Sequence, residues 1–97
     1  MFIVYVLRSL KNSQLYVGYT TNLKQRIETH NKGSVTSTKT KRPWKLIFAE
    51  AYISQADALR REKYFKTTQG KNALKHMLRI TLKLPNESNL HVPSQQI

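Results

Sequence analysis

Two short runs of β-branched and aromatic residues, joined by a polar segment, dominate the start of the chain. The first run, FIVYVLR, spans residues 2–8, and the second, LYVGYT, spans residues 15–20. Such residues favour strands, and Asn12 and Ser13 between the runs are typical of turns. The chain is therefore predicted to begin with a β-hairpin, against which the later elements must pack.

The hairpin also predicts which side chains are neighbours, because successive side chains of a strand point to opposite faces of the sheet. With an even number of residues in the turn, Tyr5, Tyr16 and Gly18 share one face, while Tyr19 points to the other. Two phenols then flank a position without a side chain, where a ligand or another part of the backbone can approach closely. Ordinary strand packing is the alternative role for these tyrosines.

The remaining chain contains helix signals and one further strand. The predicted elements are a helix over residues 22–31, a strand over 44–53, and helices over 55–68 and 71–83. Asn22 is a candidate N-cap, Gly33 a helix stop, Ser54 a second helix start and Gly70 a break between the last two helices. Three strands with interleaved and trailing helices predict a compact α/β domain over residues 1–84, followed by a mobile tail over 85–97.

Length and composition exclude several classes of protein. A chain of 97 residues allows one domain. The absence of cysteine excludes disulfides, zinc–cysteine sites and cysteine nucleophiles. The apolar run from Met1 to Leu7 is too short to span a membrane, and no cleavage site of a signal peptide follows it. We therefore expect a cytoplasmic protein without a membrane partner.

The charge is strongly unbalanced and predicts a polyanionic partner. Seventeen Lys and Arg residues, all within residues 1–84, stand against five Asp and Glu, for a net charge of +12. Such a field concentrates nucleic acid near the protein and makes its binding depend on salt. A basic protein that is merely soluble is the alternative.

One carboxylate lies in the middle of the basic helix predicted over 55–68. Helical spacing places Ala58, Glu62 and Phe65 on one face. The surrounding helix positions are cationic: Arg60, Arg61, Lys63 and Lys66. Glu62 is therefore either an ion-pair partner of these cations or a ligand of a divalent metal ion.

Arg26 and His30 are spaced i, i+4 on the first helix. Arg26 can bind a phosphate through its two-pronged guanidinium, and His30 can assist proton transfer. A solvated arginine and a structural histidine are the alternatives. The loop over 33–43 is rich in hydroxyls and positive charge, including Thr38, and either contacts phosphate oxygens or is a flexible linker.

These parts occur in a characteristic order. VYV at 4–6, YVG at 16–18, Asn22-Leu23-x-x-Arg26, His30 and a distant helix glutamate resemble the GIY-YIG nuclease superfamily. The likeness covers about residues 1–82 and is closest to short stand-alone members related to the amino-terminal nuclease domain of the excinuclease subunit UvrC. It implies a small three-stranded antiparallel sheet flanked by about three helices.

The resemblance also implies an activity, namely a metal-dependent endonuclease that hydrolyses DNA phosphodiester bonds to 5′-phosphate and 3′-hydroxyl ends, in repair or recombination. The implied catalytic residues are Tyr5, Tyr16, Arg26, His30 and Glu62. In this scheme Glu62 holds one Mg²⁺ or Mn²⁺ ion. Tyr16, alone or together with His30, takes a proton from the attacking water. Tyr5 orients that water or the base. Arg26 neutralises the phosphoryl group.

Further positions are expected to contact nucleic acid: Gly18, Tyr19, Lys24, Lys39, Lys41, Arg42 and Lys66. The chain departs from the family pattern in its first tripeptide, VYV, and at Tyr19, where UvrC-like domains carry lysine. Lys24 or Lys66 can replace that cation.

Two other functions stay open: a nucleic-acid-binding module without catalysis, and a subunit of a larger repair assembly. A monomer or weak dimer is expected, with a repair protein as a possible partner.

Overall fold

The predicted hairpin forms the centre and one edge of a three-stranded antiparallel sheet. The computed structural model describes residues 1–86. The strands are β1 (Phe2–Ser9), β2 (Leu15–Thr20) and β3 (Trp44–Tyr52), in the spatial order β2-β1-β3. The helices are α1 (Leu23–Lys32), α2 (Gln55–Phe65) and α3 (Thr68–Met77), and single 3-10 turns lie at Lys39–Lys41 and Thr81–Lys83. The predicted α/β architecture is confirmed.

The strand register confirms the predicted distribution of the tyrosines. Tyr5 lies opposite Gly18, Leu7 lies opposite Tyr16, and Val4 lies opposite Tyr19. The alternation of side chains therefore places Tyr5, Tyr16 and Gly18 on one face of the sheet and Tyr19 on the other.

The sheet separates two apolar clusters. The cluster beneath α2 and α3 contains Val4, Val6, Val17, Ala58, Phe65, Leu74 and Leu78. The cluster beneath α1 contains Tyr5, Leu7 and Trp44, with Tyr16, Leu23, Ile27 and Leu46 packed against it. Both faces of the sheet are therefore covered, and α1 and α2 bring their polar side chains to opposite sides of β1 and β2.

Local capping explains where the helices start and stop. The Asn22 side chain accepts a hydrogen bond from Gln25 N at 3.1 Å, and Ser54 accepts one from Asp57 N at 3.3 Å. Gly33 ends α1 in the left-handed conformation at φ 83°, which glycine adopts without strain.

Within the described residues, no helix is long and apolar enough to cross a membrane.

The last two helices differ from the prediction. The second ends at Phe65 instead of 68, and α3 occupies Thr68–Met77 instead of 71–83. Thr67 caps α3 by accepting a hydrogen bond from Gly70 N at 3.0 Å, so Gly70 lies inside the first turn. A Cβ at Gly70 would overlap the carbonyl oxygen of Tyr64, so the glycine permits a tight junction between α2 and α3 and does not break a helix. The predicted tail lies outside the described residues except for Pro85 and Asn86.

We expect Gly70→Ala to lower the free energy of unfolding, although alanine favours helices by about 1 kcal/mol over glycine. The overlap with Tyr64 forces the junction apart, and such overpacking typically costs about 1–3 kcal/mol. Chemical denaturation of Gly70→Ala and of Gln69→Ala, an exposed neighbour on the same helix, tests this. Equal stability of the two variants would show that the junction does not require glycine.

Candidate active site

Four of the five predicted catalytic residues meet on the α1 face of the sheet. The Tyr5 hydroxyl lies 2.8 Å from His30 Nε2, and Arg26 Nε donates a hydrogen bond to the Tyr5 oxygen at 3.3 Å. The Tyr16 ring packs edge-on against His30, with ring centres 4.9 Å apart. Neighbouring strands supply the two phenols, and the i, i+4 spacing on α1 supplies the arginine and the histidine. We call these four residues the tyrosine cluster.

The Tyr5 ring fills the space that a side chain would occupy at Gly18. A Cβ at Gly18 would overlap the end of the phenol ring, and both residues are buried. Glycine is therefore required here for packing within the protein. The close approach of substrate that we expect at Gly18 is not what uses the space there, because the side of Gly18 that lacks a side chain faces the Tyr5 ring.

His30 is fully buried and uses both ring nitrogens. Nε2 pairs with Tyr5, and Nδ1 lies 2.8 Å from the hydroxyl of Thr38. Burial, and then the charge of Arg26, lower the pKa of His30, which therefore stays neutral at neutral pH. The expected direct role of His30 in proton transfer with substrate or water does not fit this position, since its contacts are to other side chains.

The hydrogen bonds form a chain with a consistent direction. Arg26 has only donors, so the Tyr5 oxygen accepts from it. Because the Thr38 hydroxyl donates its proton to the carbonyl oxygen of Val35, its oxygen accepts from His30 Nδ1, and Nε2 then accepts the Tyr5 proton. The neutral imidazole therefore carries its proton on Nδ1. The chain fixes the tautomer of His30 and the orientation of the Tyr5 hydroxyl.

Thr38 has a structural role that sequence reasoning missed. The sequence predicts that Thr38, like the other hydroxyls of its loop, contacts phosphate oxygens. In the structure Thr38 is fully buried, and its hydroxyl is hydrogen-bonded to His30. Its carbonyl oxygen accepts a hydrogen bond from Trp44 Nε1 at 2.9 Å, and the Trp44 backbone is paired with the Asn31 side chain. These hydrogen bonds connect the loop over 33–43 to α1 and β3, so the alternative of a flexible linker does not apply.

Burial keeps Tyr5 protonated, and the hydrogen bond between Tyr5 and Arg26 favours the charged form of Arg26. Burial is the main cause that raises the pKa of Tyr5, the nearby Tyr16 adds to it, and the hydrogen bond from Arg26 opposes it. The hydrogen bond to Tyr5 raises the pKa of Arg26. Tyr5 is fully buried, whereas Tyr16 on the edge strand is half-buried, so Tyr16 is the more accessible phenol.

Glu62 approaches from the other side of the sheet. It lies on α2 between the buried Ala58 and Phe65, its side chain is 22% exposed, and Lys66 Nζ pairs with it at 3.2 Å. Its helix, α2, packs on both β1 and β2, the strands that carry Tyr5 and Tyr16, and the negative charge of Glu62 is the smallest of the causes that raise the pKa of Tyr5. Among the described residues no hydrogen bond joins Glu62 to the tyrosine cluster.

The donor set at Glu62 fits a hard cation held only partly by protein. The described residues contain no group of three or more His, Cys, Asp or Glu that can hold a metal ion. The carboxylate of Glu50 already accepts two hydrogen bonds from the Arg61 guanidinium, at 2.9 and 3.2 Å. A single carboxylate next to a phosphate site suits Mg²⁺ or Mn²⁺, which keep several waters and bind substrate oxygens.

The predicted nucleic-acid contacts are distributed over the surface. Lys24, Lys39 and Lys66 are exposed, and Lys41 is half-buried. Arg42 donates to the carbonyl oxygen of Lys39 at 2.7 Å and packs over Gly33, so it also braces the loop.

Tyr19 is not brought to the tyrosine cluster. It stacks on Phe2 beneath α2, with ring centres 6.5 Å apart, and its hydroxyl accepts a hydrogen bond from Gln55 at 3.2 Å.

Comparison with known proteins identifies the class to which this arrangement belongs. The family model of the GIY-YIG catalytic domain matches residues 1–75, and the chain therefore belongs to the GIY-YIG family, whose fold is a nuclease-type domain. The predicted family is confirmed, while the likeness to UvrC in particular stays a resemblance.

The similar proteins are short chains named UPF0213. A relative from Staphylococcus haemolyticus is 45% identical over 73 residues, covering 74% of this chain and 88% of its own. One from Pediococcus pentosaceus is 41% identical over 86 residues, covering 88% of this chain and 90% of its own. The solution structure of a UPF0213 protein from Bacillus halodurans has a TM-score of 0.50 and 31% identity, over 79% of this chain and 85% of that one. The chain is thus similar to stand-alone GIY-YIG domains.

The buried His30 predicts a pH dependence of stability. Its pKa is lowered in the folded protein, so below the ordinary value of about 6.5 the unfolded chain binds the proton more readily, and stability falls as the pH drops. We expect the wild type to lose at most about 1 kcal/mol from this group between pH 6.5 and 5.5, because the unfolded histidine is already half protonated at pH 6.5. Urea denaturation at both pH values measures the loss.

His30→Gln removes this contribution, whereas His76→Gln, at the exposed end of α3, keeps it. The absolute stability of His30→Gln will be lower, so the comparison uses the change with pH alone. An identical pH dependence in all three proteins would mean that His30 does not titrate as a buried neutral group.

Proposed function

We propose that the protein is a metal-dependent endonuclease that hydrolyses DNA phosphodiester bonds and leaves 5′-phosphate and 3′-hydroxyl ends. The observation that carries the proposal is the meeting of Tyr5, Tyr16 and Arg26 in one cluster, on strands against which α2, the helix of Glu62, also packs. Membership of a nuclease family and the net charge of +12 support nucleic acid as the substrate class.

Arg26 is the residue that we assign to the phosphate. Its guanidinium is held by the Tyr5 oxygen through Nε and stays charged, because that hydrogen bond raises its pKa. A fixed cation stabilises the charge that develops on phosphate oxygens in the transition state, and such preorganised contacts typically contribute about 10²–10³ in rate. Tyr5 and His30 act as positioning residues for this cation.

Tyr16 is the residue that we assign to the proton of the attacking water. Tyr16 is more exposed than Tyr5. Tyr5 is a poor base, because its pKa is raised and its hydroxyl is already hydrogen-bonded to His30 and Arg26. When bound at Glu62, a Mg²⁺ or Mn²⁺ ion supplies Lewis-acid stabilisation of the phosphate and of the leaving oxygen.

Glu62→Gln should lower cleavage at least about 10²-fold and leave DNA binding in chelator nearly unchanged, because the basic surface persists. End-labelled single-stranded, duplex, flap and branched DNA are incubated with Mg²⁺, Mn²⁺ or chelator. Glu28→Gln, with the same charge change on an exposed site of α1, is the matched control and should cleave like the wild type. Cleavage that continues in Glu62→Gln or in chelator would refute the one-metal scheme.

One observation favours a second function, a nucleic-acid-binding module without catalysis. The Glu62 carboxylate is already paired with Lys66, as expected of an ordinary i, i+4 ion pair. The same experiment decides between the two, because a binding module binds DNA without metal-dependent cleavage. A role in repair or recombination, a cytoplasmic location, a monomer or weak dimer, and membership of a repair assembly stay predictions from the sequence.

A further inference from the structure

A groove runs along the free edge of the sheet, between β2 and the two helices α2 and α3. Its volume is about 510 Å³. The half-buried Leu15 and Tyr16 of β2 form its apolar floor, over the fully buried Phe65 and Leu74, and lysines form its rim: Lys66, Lys71 and Lys75. We call it the edge groove. Of these lysines, only Lys66 is a nucleic-acid contact predicted from the sequence.

The charge of the edge groove suits a polyanion. Three lysines line it, and no Asp or Glu among the described residues does so. Lys71 and Lys75 are exposed and spaced i, i+4 on α3, so their ammonium groups follow one side of the groove. Such a row of cations above an open groove matches the phosphates of an extended strand.

The floor of the edge groove favours a single strand over a duplex. Single-stranded nucleic acid exposes its bases, which pack on apolar surface while cations contact the backbone. A duplex presents its sugar-phosphate backbone outward and leaves such a floor unused. Because β2 is an edge strand, its outer backbone N–H and C=O groups are also open to hydrogen bonds with a strand in the groove.

The edge groove leads to the candidate active site. Tyr16, which packs on His30 in the tyrosine cluster, also lines the groove. Lys66, on its rim, is the ion-pair partner of Glu62. A strand lying in the groove is therefore led past both the proposed base and the proposed metal ligand.

We propose that the edge groove binds the single-stranded segment of nucleic acid that flanks the scissile phosphate. This inference rests on the proposed function for the location of that phosphate, whereas binding itself is measured without catalysis. Lys71 and Lys75 hold backbone phosphates, and the apolar floor receives the bases. Lys39 and Lys41 lie in a separate loop and contact the substrate elsewhere.

The test is the salt dependence of binding to a short fluorescent single-stranded oligonucleotide in chelator, by fluorescence anisotropy. Each phosphate contact to a single strand contributes about 0.7 to the slope of log Kd against log salt concentration. Lys71→Gln/Lys75→Gln should lower that slope by about 1.4. The matched control Lys45→Gln/Lys83→Gln removes the same charge from residues outside the groove and should keep the wild-type slope. For a duplex of the same sequence, the two double variants should behave alike.

Three results would overturn the inference. The first is an equal change of slope in both double variants, which indicates diffuse attraction. The second is an equal loss of duplex and single-strand binding in Lys71→Gln/Lys75→Gln, and the third is competition by polyglutamate as effective as that by unlabelled oligonucleotide. Failure of the nuclease proposal has a different signature, the absence of metal-dependent cleavage, and does not affect these binding measurements.

Discussion

The contact of the Tyr5 ring with Gly18 is the feature on which the candidate site depends. The glycine leaves room for a phenol to lie across the neighbouring strand, and this brings its hydroxyl to Arg26 and His30. From that hydroxyl, one run of hydrogen bonds extends through His30 to Thr38 and the basic loop. The orientation of a surface cation is thereby fixed by buried groups, which is what a preorganised phosphate site requires.

The candidate site draws its residues from both faces of the sheet, at the central strand β1 and the edge strand β2. The phenols and the arginine lie with α1, whereas the carboxylate belongs to α2, which packs on both β1 and β2. In the arrangement that we propose, a substrate strand in the edge groove meets both sets of groups where β2 leaves the sheet open, and a metal ion and a phosphate replace the partners in the Glu62–Lys66 ion pair.

Local rules predicted most of the fold and the two pairs of residues in the tyrosine cluster, whereas only the family resemblance implied that the two pairs belong to one site. Strand alternation placed Tyr5 with Tyr16, helical spacing placed Arg26 with His30, and both patterns depend on neighbours in sequence or across one tight turn. Thr38 escaped prediction because its contact with His30 depends on how an irregular loop folds back on α1. Gly70 was misassigned for the same reason, since the carbonyl group it accommodates belongs to another helix. What no local pattern can supply is the packing of one element on another.

The central claim is that a divalent ion at Glu62 and the tyrosine cluster form one site. Paramagnetic broadening of amide NMR signals by Mn²⁺, titrated in the presence of a single-stranded oligonucleotide, tests it most directly, and a domain of 11.3 kDa is well suited to the method. The account predicts broadening centred on Glu62 that extends to Tyr16 and Arg26 and disappears in Glu62→Gln. Broadening centred on Glu50 or Asp57, or a pattern unchanged by Glu62→Gln, would contradict it.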